Sequence, residues 1–353
     1  MESASIPARP SRARGDVVRE FISRFGLIAI LLFLPVLYGI QDLQDDGDLS
    51  RLATNIKDGL SNGAIWALIA VGYTLVYGII ELINFAHGDL FMLGSFVAFS
   101  LIGTVGLTVS TGFLPLAFGL LLILALSMVA CGTLNTMIER VAYRPLRNAP
   151  KLAPLITAVG FSFILQNVGL IWLGGGHRGV PDLIESQERF ATVVGVPLTH
   201  GDLLALVVTV PLFFFLINFI NLSRIGRAMR ATAQDPQAAR LMGINVDTTI
   251  SFTFLVGGLM AGAAGLIYAL YQTDVWFFAG FTAGLIAFTA AVMGGIGNLK
   301  GAILGGLIIG MIQQISDNRI GTEWTPAIVF GYLVLILVFR PQGLVGEQTR
   351  EAG

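Results

Sequence analysis

Asp235-Pro236-Gln237-Ala238-Ala239-Arg240-Leu241-Met242-Gly243 stands in the middle of a polar island, residues 222–249, between apolar runs at about 201–222 and 250–271. Each run has the ~20 residues that a helix needs to cross a bilayer, so the island reads as a connection between two membrane helices. It carries Arg224, Arg227, Arg230 and Arg240 against Asp235 and Asp247. Its middle is punctuated like a short helix: Asp235 can accept from the first free amides, Pro236 suits the first helical position, and Gly243 suits a left-handed C-terminal residue. Ala239, Leu241, Met242 and Ile244 sit among the charges and give the helix a face that can press on a partner. On composition alone, a solvated connector is the other reading.

The rest of the chain reads the same way. Of 353 residues, 55% are hydrophobic and 12% charged, with a mean hydropathy of +0.79, against ~25% charged in soluble domains. This composition predicts an all-α polytopic membrane protein. The net charge of −1 gives no sign of a nucleic-acid partner. The single cysteine, Cys131, lies in an apolar run, which excludes a disulfide framework within the chain and leaves no cysteine metal cluster. The 43 glycines suit closely packed membrane helices.

Hydropathy places ten helices, at 25–40 and at about 59–79, 90–108, 112–138, 152–173, 201–222, 250–271, 281–296, 300–316 and 324–340. Residues 1–24 form a basic arm, read as disordered. Arm and first run together resemble a signal peptide, but the run starts late and no Ala-x-Ala site follows, so an uncleaved extra helix is expected. An acidic loop, 41–58, leads to the main domain, 59–340, and 341–353 is a tail. With the N-terminus inside, the inner segments hold sixteen of the 21 Lys and Arg: five in the arm, four in 139–151, four in 223–249, then Lys300, Arg340 and Arg350. The outer segments hold Arg51, Lys57, Arg178, Arg189 and Arg319. This asymmetry satisfies the positive-inside rule and places both termini and the island in the cytoplasm. The longest outer loop, 177–200, reads as a receptor-facing surface or, for most of its residues, a connector.

Polar groups also interrupt the apolar runs. Glu81-Leu82-Ile83-Asn84-Phe85-Ala86-His87-Gly88-Asp89-Leu90 separates two of them, and uncompensated charge in hydrocarbon costs roughly 2.5–3.5 kcal/mol. Either the stretch is a cytoplasmic turn in which Asp89 caps the next helix, or it is a broken or re-entrant helix whose free amides face a solute. Upstream, Asn62, Trp66, Tyr73, Thr74 and Tyr77 share one long helix, with Trp66 and Tyr73 on one face. They line a path or make interhelical contacts, as do Gln166 and Asn167. His87 alone makes no metal site, since His177 and His200 lie in another loop and no HExxH or CxxC spacing occurs. Gly294-Gly295-Ile296-Gly297-Asn298 and the Gly306/Gly310 pair lack the setting of a nucleotide loop and read as close helix contacts. Both halves contain a long helix followed by a polar or Gly-rich stretch, 81–90 and 294–301, the outline of an inverted repeat.

Three stretches in order carry a resemblance. They are Asn62-Gly63-Ala64-Ile65-Trp66-Ala67-Leu68-Ile69-Ala70-Val71-Gly72-Tyr73-Thr74-Leu75-Val76-Tyr77-Gly78 running into Ile83-Asn84-Phe85-Ala86-His87-Gly88, then Glu139-Arg140-Val141-Ala142-Tyr143-Arg144-Pro145-Leu146-Arg147, then Phe288-Thr289-Ala290-Ala291-Val292-Met293-Gly294-Gly295-Ile296-Gly297. Over about 59–345 the chain resembles the H-type permeases of branched-chain amino-acid ABC importers. The resemblance implies a bacterial inner-membrane subunit paired with a paralogous M-type permease, two cytoplasmic ATPases that use ATP and Mg, and a periplasmic binding protein. This chain itself would bind no cofactor or metal and catalyse nothing. The family's coupling-helix pattern, EAA-x-x-x-G, matches Gln237-Ala238-Ala239-Arg240-Leu241-Met242-Gly243, with Gln237 in place of Glu. It implies ATPase contact through Asp235, Gln237, Ala238, Ala239, Arg240 and Gly243. For the substrate path the candidates are Asn62, Trp66, Tyr73, Thr74, Asn84, His87 and Asp89. Urea or short-chain amide permeases share the motifs, and a channel or carrier acting without ATPases is the rival of another class.

Overall fold

Long helices carry nearly the whole chain, because in hydrocarbon each backbone N–H and C=O must find its partner inside its own segment. The computed structural model describes residues 14–346, apart from 46, 148, 151 and 194. In chain order the helices are α1 (Arg14–Asp45), α2 (Ser50–Ile80), α3 (Ala86–Val105), α4 (Phe113–Ile138), α5 (Leu152–Leu173) and α6 (His200–Leu222). There follow α7 (Arg224–Gln234), α8 (Pro236–Leu241), α9 (Val246–Gln272), α10 (Ala279–Gly294), α11 (Leu299–Arg319) and α12 (Thr325–Phe339). Among the described residues nine helices are long and apolar enough to cross a membrane, and α10, with 16 residues, is a shorter apolar tenth. The chain is a multi-pass α-helical membrane protein.

Burial separates an inner set from an outer set. Every residue of α2 from Ser61 to Val76 is buried, and α9 is nearly as enclosed. Small residues let these backbones approach: a Cβ on Gly306 of α11 would lie 2.5 Å from the Ala67 Cα of α2, and Gly310 seats against Gly63. This is the close contact expected of the GxxxG register. Helices α4, α5, α6 and α12 instead turn large apolar side chains outward, among them Phe113, Ile171, Phe214 and Val338. In water so wide an apolar surface would drive association; in a bilayer it is the solvated face.

Three expectations change. Residues 14–24 of the basic arm belong to α1, so the first helix begins before residue 25; residues 1–13, and 347–353 of the tail, lie outside the described residues. The acidic connection 41–58 is mostly helical, since α1 runs to Asp45 and α2 starts at Ser50. The cause is a partner the sequence did not disclose. Asp42, buried, pairs with Arg319 of α11, whose guanidinium also sits 5.4 Å from the Tyr38 ring centre. A neutralised carboxylate can stay within a helix near the bilayer. Finally, the outer loop is more than a connector: Arg189–Val193 and Val196–Thr199 form an antiparallel hairpin, and Arg178–Gly179 pairs with Asp274–Val275.

Candidate functional site

The polar island folds as its residues require. Ser223 caps α7, accepting from the Gly226 N–H at 2.8 Å, and Gly226, Met229 and Thr232 turn the buried face of that helix inward. Its arginines are not merely solvated: Arg230 donates to the Ile220 carbonyl and Arg227 to that of Leu222, at the C-terminal end of α6. Cations belong at that end, where the last carbonyls lack helical partners. In the next helix, Asp235 Oδ1 accepts from the Gln237 and Ala238 amides at 2.8 and 2.9 Å, and Pro236 takes the first position. Gly243 closes α8 with φ of +82°. Its N–H reaches the Arg240 carbonyl and the Ile244 N–H reaches that of Ala239, both at 3.0 Å. That pair of bonds is a Schellman closure.

The result is a short platform closed at both ends. Gln237, Ala238 and Arg240 are exposed, and Leu241 and Met242 project with 89% and 83% of their surfaces free. Ala239 departs from expectation: it is buried and packs toward the chain's own bundle, because it lies on the face of α8 opposite to Leu241.

The stretch after α2 is not a cytoplasmic turn. Glu81 leaves α2 with φ of +51°, and α3 starts at Ala86 with no side-chain cap. His87 lies against Gly72 and Tyr73, its ring centre 4.9 Å from that of Tyr73. Those residues stand seven to eight positions before the end of α2, roughly 10–12 Å back along the helix at 1.5 Å per residue. The chain therefore folds back into the bundle, and α3 begins inside it.

Gly88 permits this entry, since a Cβ there would lie 2.6 Å from the Gly284 Cα and strike the Gly280 carbonyl of α10. The Tyr73 hydroxyl lies beside the Gly88 N–H, one of the amides the break leaves free. Asp89 does not cap α3. Its Oδ2 accepts from Ser162 of α5, which in turn accepts from Gln166 at 3.0 Å. Asp89 Oδ1, Thr74 Oγ1 and both ring nitrogens of His87 are buried and complete no hydrogen bond; the Gln166 amide stands near the Asp89 carboxylate and the Ile69 carbonyl near the His87 ring, neither completing one. Each such orphan costs about 1–3 kcal/mol.

The other path candidates are separate. Asn62 donates to Gln314 at 2.9 Å and Trp66 to Gln313 at 2.6 Å, joining α2 to α11, which is the interhelical reading of these residues. Asn84 belongs to the break: it accepts from the Tyr143 hydroxyl at 3.0 Å and donates to Asn135, which donates to the Phe254 carbonyl of α9.

Tyr143 ends a π-helical turn, Glu139–Tyr143, that continues α4; such turns are uncommon and cluster at functional sites. The same turn begins with Glu139, fully buried, which pairs with Arg147 and accepts from Ser251 of α9 at 2.6 Å. Arg147 and Arg144 then hold Asp247 at 2.6 and 2.9 Å, and Arg240 of α8 stands 4.0 Å from the same carboxylate. One polar network thus joins the exposed platform to the buried break.

Asn135, Glu139, Tyr143 and Asp247 were not singled out as site residues by the sequence. The available signal was an Asn and a Glu four residues apart in the last turns of an otherwise apolar helix. In the outer loop, Glu185, Glu188 and His200 bring ligand-type atoms within 4.8 Å of one another. Hydrogen bonding to Glu188 and that neighbour's charge hold the Glu185 carboxyl above the usual range.

Comparison with known proteins decides what this architecture belongs to. The sequence model of the family described as "Branched-chain amino acid transport system / permease component" matches residues 55–338. This chain belongs to that family. It is 40% identical over 298 residues to the high-affinity branched-chain amino acid transport system permease protein BraD of Pseudomonas aeruginosa, covering 84% of this chain and 96% of that one. Against LivH of Escherichia coli K12, of the same description, identity is 40% over 301 residues, with 83% and 95% covered. The fructose import permease FruG of Bifidobacterium longum is a more distant relative, at 26% over 254 residues and 69% of this chain. No solved structure matches significantly. Both the platform and the break lie within the matched residues, and α1 precedes them. The protein is thus a transport permease component.

Proposed function

We propose that this permease is the H-type membrane subunit of an ATP-driven importer of branched-chain amino acids in a bacterial inner membrane. It works beside a paralogous M-type permease, two cytoplasmic ATPases that use ATP and Mg, and a periplasmic binding protein. Both termini and the platform face the cytoplasm, in line with the sixteen-to-five distribution of basic residues. The outer minority is further reduced in effect, since Lys57 and Arg319 are paired with Asp202 and Asp42. Relatives at 40% identity carry the branched-chain name, which favours that solute over urea or short-chain amides.

The observation that carries the coupling role is the capped α8 with Leu241 and Met242 bare at its tip. An apolar pair on a rigid, polar-flanked helix is the kind of anchor that fills a partner's pocket. Asp235, Gln237, Ala238, Arg240 and Gly243 shape or surround the contact, while Ala239 seats α8 on the bundle.

When the ATPases close, the load passes from Arg240 through Asp247, Arg147 and Glu139 to the π-helical turn, and from Tyr143 to Asn84. Movement of the first turn of α3 then uncovers Tyr73, Thr74, His87 and Asp89 to solute crossing between the two permeases, while Asn62 and Trp66 hold α2 to α11 nearer the outer end. Orphaned polar groups inside a bundle are expensive unless another state satisfies them, and that supports the placement.

The test is reconstitution of the full complex in proteoliposomes with Leu241→Asp and Met242→Asp combined. Leucine uptake and ATPase stimulation are expected to fall at least tenfold, about 1.4 kcal/mol or more of lost contact, while the chain still inserts and pairs with its paralogue. Undiminished uptake overturns the docking role, and uptake of urea but not leucine by the unmodified complex overturns the solute.

A further inference from the structure

Arg140 has no hydrogen-bond or ion-pair partner among the described residues, although it lies amid guanidiniums that do. Arg144 and Arg147 are both committed to Asp247, and Arg147 to Glu139 as well. Arg140 projects, exposed, from the π-helical turn at the end of α4. Two adjoining hollows meet at it. One is a groove of about 530 Å³ between α4 and α9 whose walls include Met137, Val141, Phe252 and Leu255, with Thr136 and Thr248 along its rim. Met137 and Val141 are 63% and 61% exposed. The other is a smaller pocket of about 150 Å³, lined by Arg140, Arg144, Asn245, Asp247, Thr248 and Ser251.

The geometry points to a binding site for one anionic phospholipid, with an acyl chain in the α4–α9 groove and its phosphate on Arg140. The apolar groove runs along the membrane-spanning part of α4 and opens toward the polar end of that helix. It is therefore hydrocarbon-shaped where hydrocarbon lies and polar where headgroups lie. Charge favours an anion there: among the described residues Arg140, Arg144, Arg147 and Arg240 stand against Asp247 and Glu139. A guanidinium with all five donors free matches phosphate oxygens two at a time, and basic pockets between membrane helices are where anionic headgroups are held. Asp247, already bonded to two arginines, repels the phosphate little and keeps Arg144 turned toward the smaller pocket. A bound lipid would sit one residue pair away from α8, through Asp247 and Arg240. The inference does not depend on which solute is carried or on the direction of transport.

The test places the full chain, with its partner subunits, in nanodiscs containing a trace of diazirine-acyl phosphatidylglycerol or the matching phosphatidylcholine. Adducts are mapped by mass spectrometry after illumination. The phosphatidylglycerol probe is expected to label the Met137–Val141 and Phe252–Leu255 peptides about fivefold more than the phosphatidylcholine probe, the scale of one basic residue at an anionic surface. Arg140→Gln should erase that preference and Arg140→Lys retain most of it. Being exposed and unpartnered, Arg140 can be replaced without unfolding the bundle, and unchanged labelling of the α12 peptide serves as the control.

Equal labelling by the two probes overturns the site. So does loss of the preference on adding inorganic phosphate, which assigns the pocket to a free anion. Protection of the groove from both probes, with cross-links from Met137→Cys to a partner subunit, also overturns it and makes the groove a protein contact.

Discussion

The platform at 235–243 and the break at 81–89 are both polar interruptions of a membrane protein, and they are built in opposite ways. In the platform the hydrogen bonds that close the helix are local, from Asp235 to the Gln237 and Ala238 amides at one end and from Gly243 and Ile244 to the last-turn carbonyls at the other. At the break, polar partners come from α2, from α4 with its π-helical turn and from α5, α10 packs against Gly88, and several polar atoms have no partner. A locally satisfied element holds its shape whatever its neighbours do, which suits a surface that must dock. A segment held by several other helices changes whenever they shift, which suits a gate. The polar network through Glu139 and Tyr143 is where the two kinds meet.

The largest effect is expected at the junction. Glu139→Ala strips Arg147 of one of its two carboxylates and leaves the buried Ser251 hydroxyl without its acceptor, so it should cost about 3 kcal/mol and lower the yield of folded chain. Glu139→Gln, which keeps a hydrogen bond to Ser251, should recover much of it. Thermal unfolding of the purified protein followed by tryptophan fluorescence checks both.

Next is the entry of α3. Gly88→Val puts a branched side chain against the Gly280 carbonyl and Gly284, an overpacking of about 1–3 kcal/mol or more. Uptake should be lost while α8 still docks, and co-purification of the ATPases separates the two. A smaller change, Asp235→Ala, removes the cap for about 1 kcal/mol. Amides of Gln237 and Ala238 should then exchange about fivefold faster, with exchange in α3 unaltered. If the α3 amides respond as strongly, the platform is not the locally closed unit its bonds suggest. The smallest is Leu241→Ala on an otherwise intact platform, which should weaken docking without altering exchange in either region.

What the sequence disclosed follows the same division. Asp235, Pro236 and Gly243 were legible because caps and left-handed closures are written within a few neighbouring residues. The bundle was legible because apolar runs of bilayer length have few other uses, and so was the Gly306/Gly310 contact. The break at 81–89 could be located but not resolved, since the alternatives differ only in whether Gly88 meets Gly280 and Gly284, nearly two hundred residues away. The same limit hid Asp42 with Arg319, which turned an expected loop into helix, and Ser162 beneath Asp89. It also hid the inward face of Ala239. Spacing within one helix says which residues share a face, not which face the fold will bury.

The most direct test of the link between platform and break is hydrogen exchange of the His87–Phe91 amides in the reconstituted complex, with the ATPases open and then trapped closed with ATP. Closure is expected to change protection there by at least fivefold in the unmodified complex, and Tyr143→Phe, which takes a bond from Asn84, should reduce that response while ATP binding persists. Protection at 87–91 that stays the same in both ATPase states contradicts the coupling.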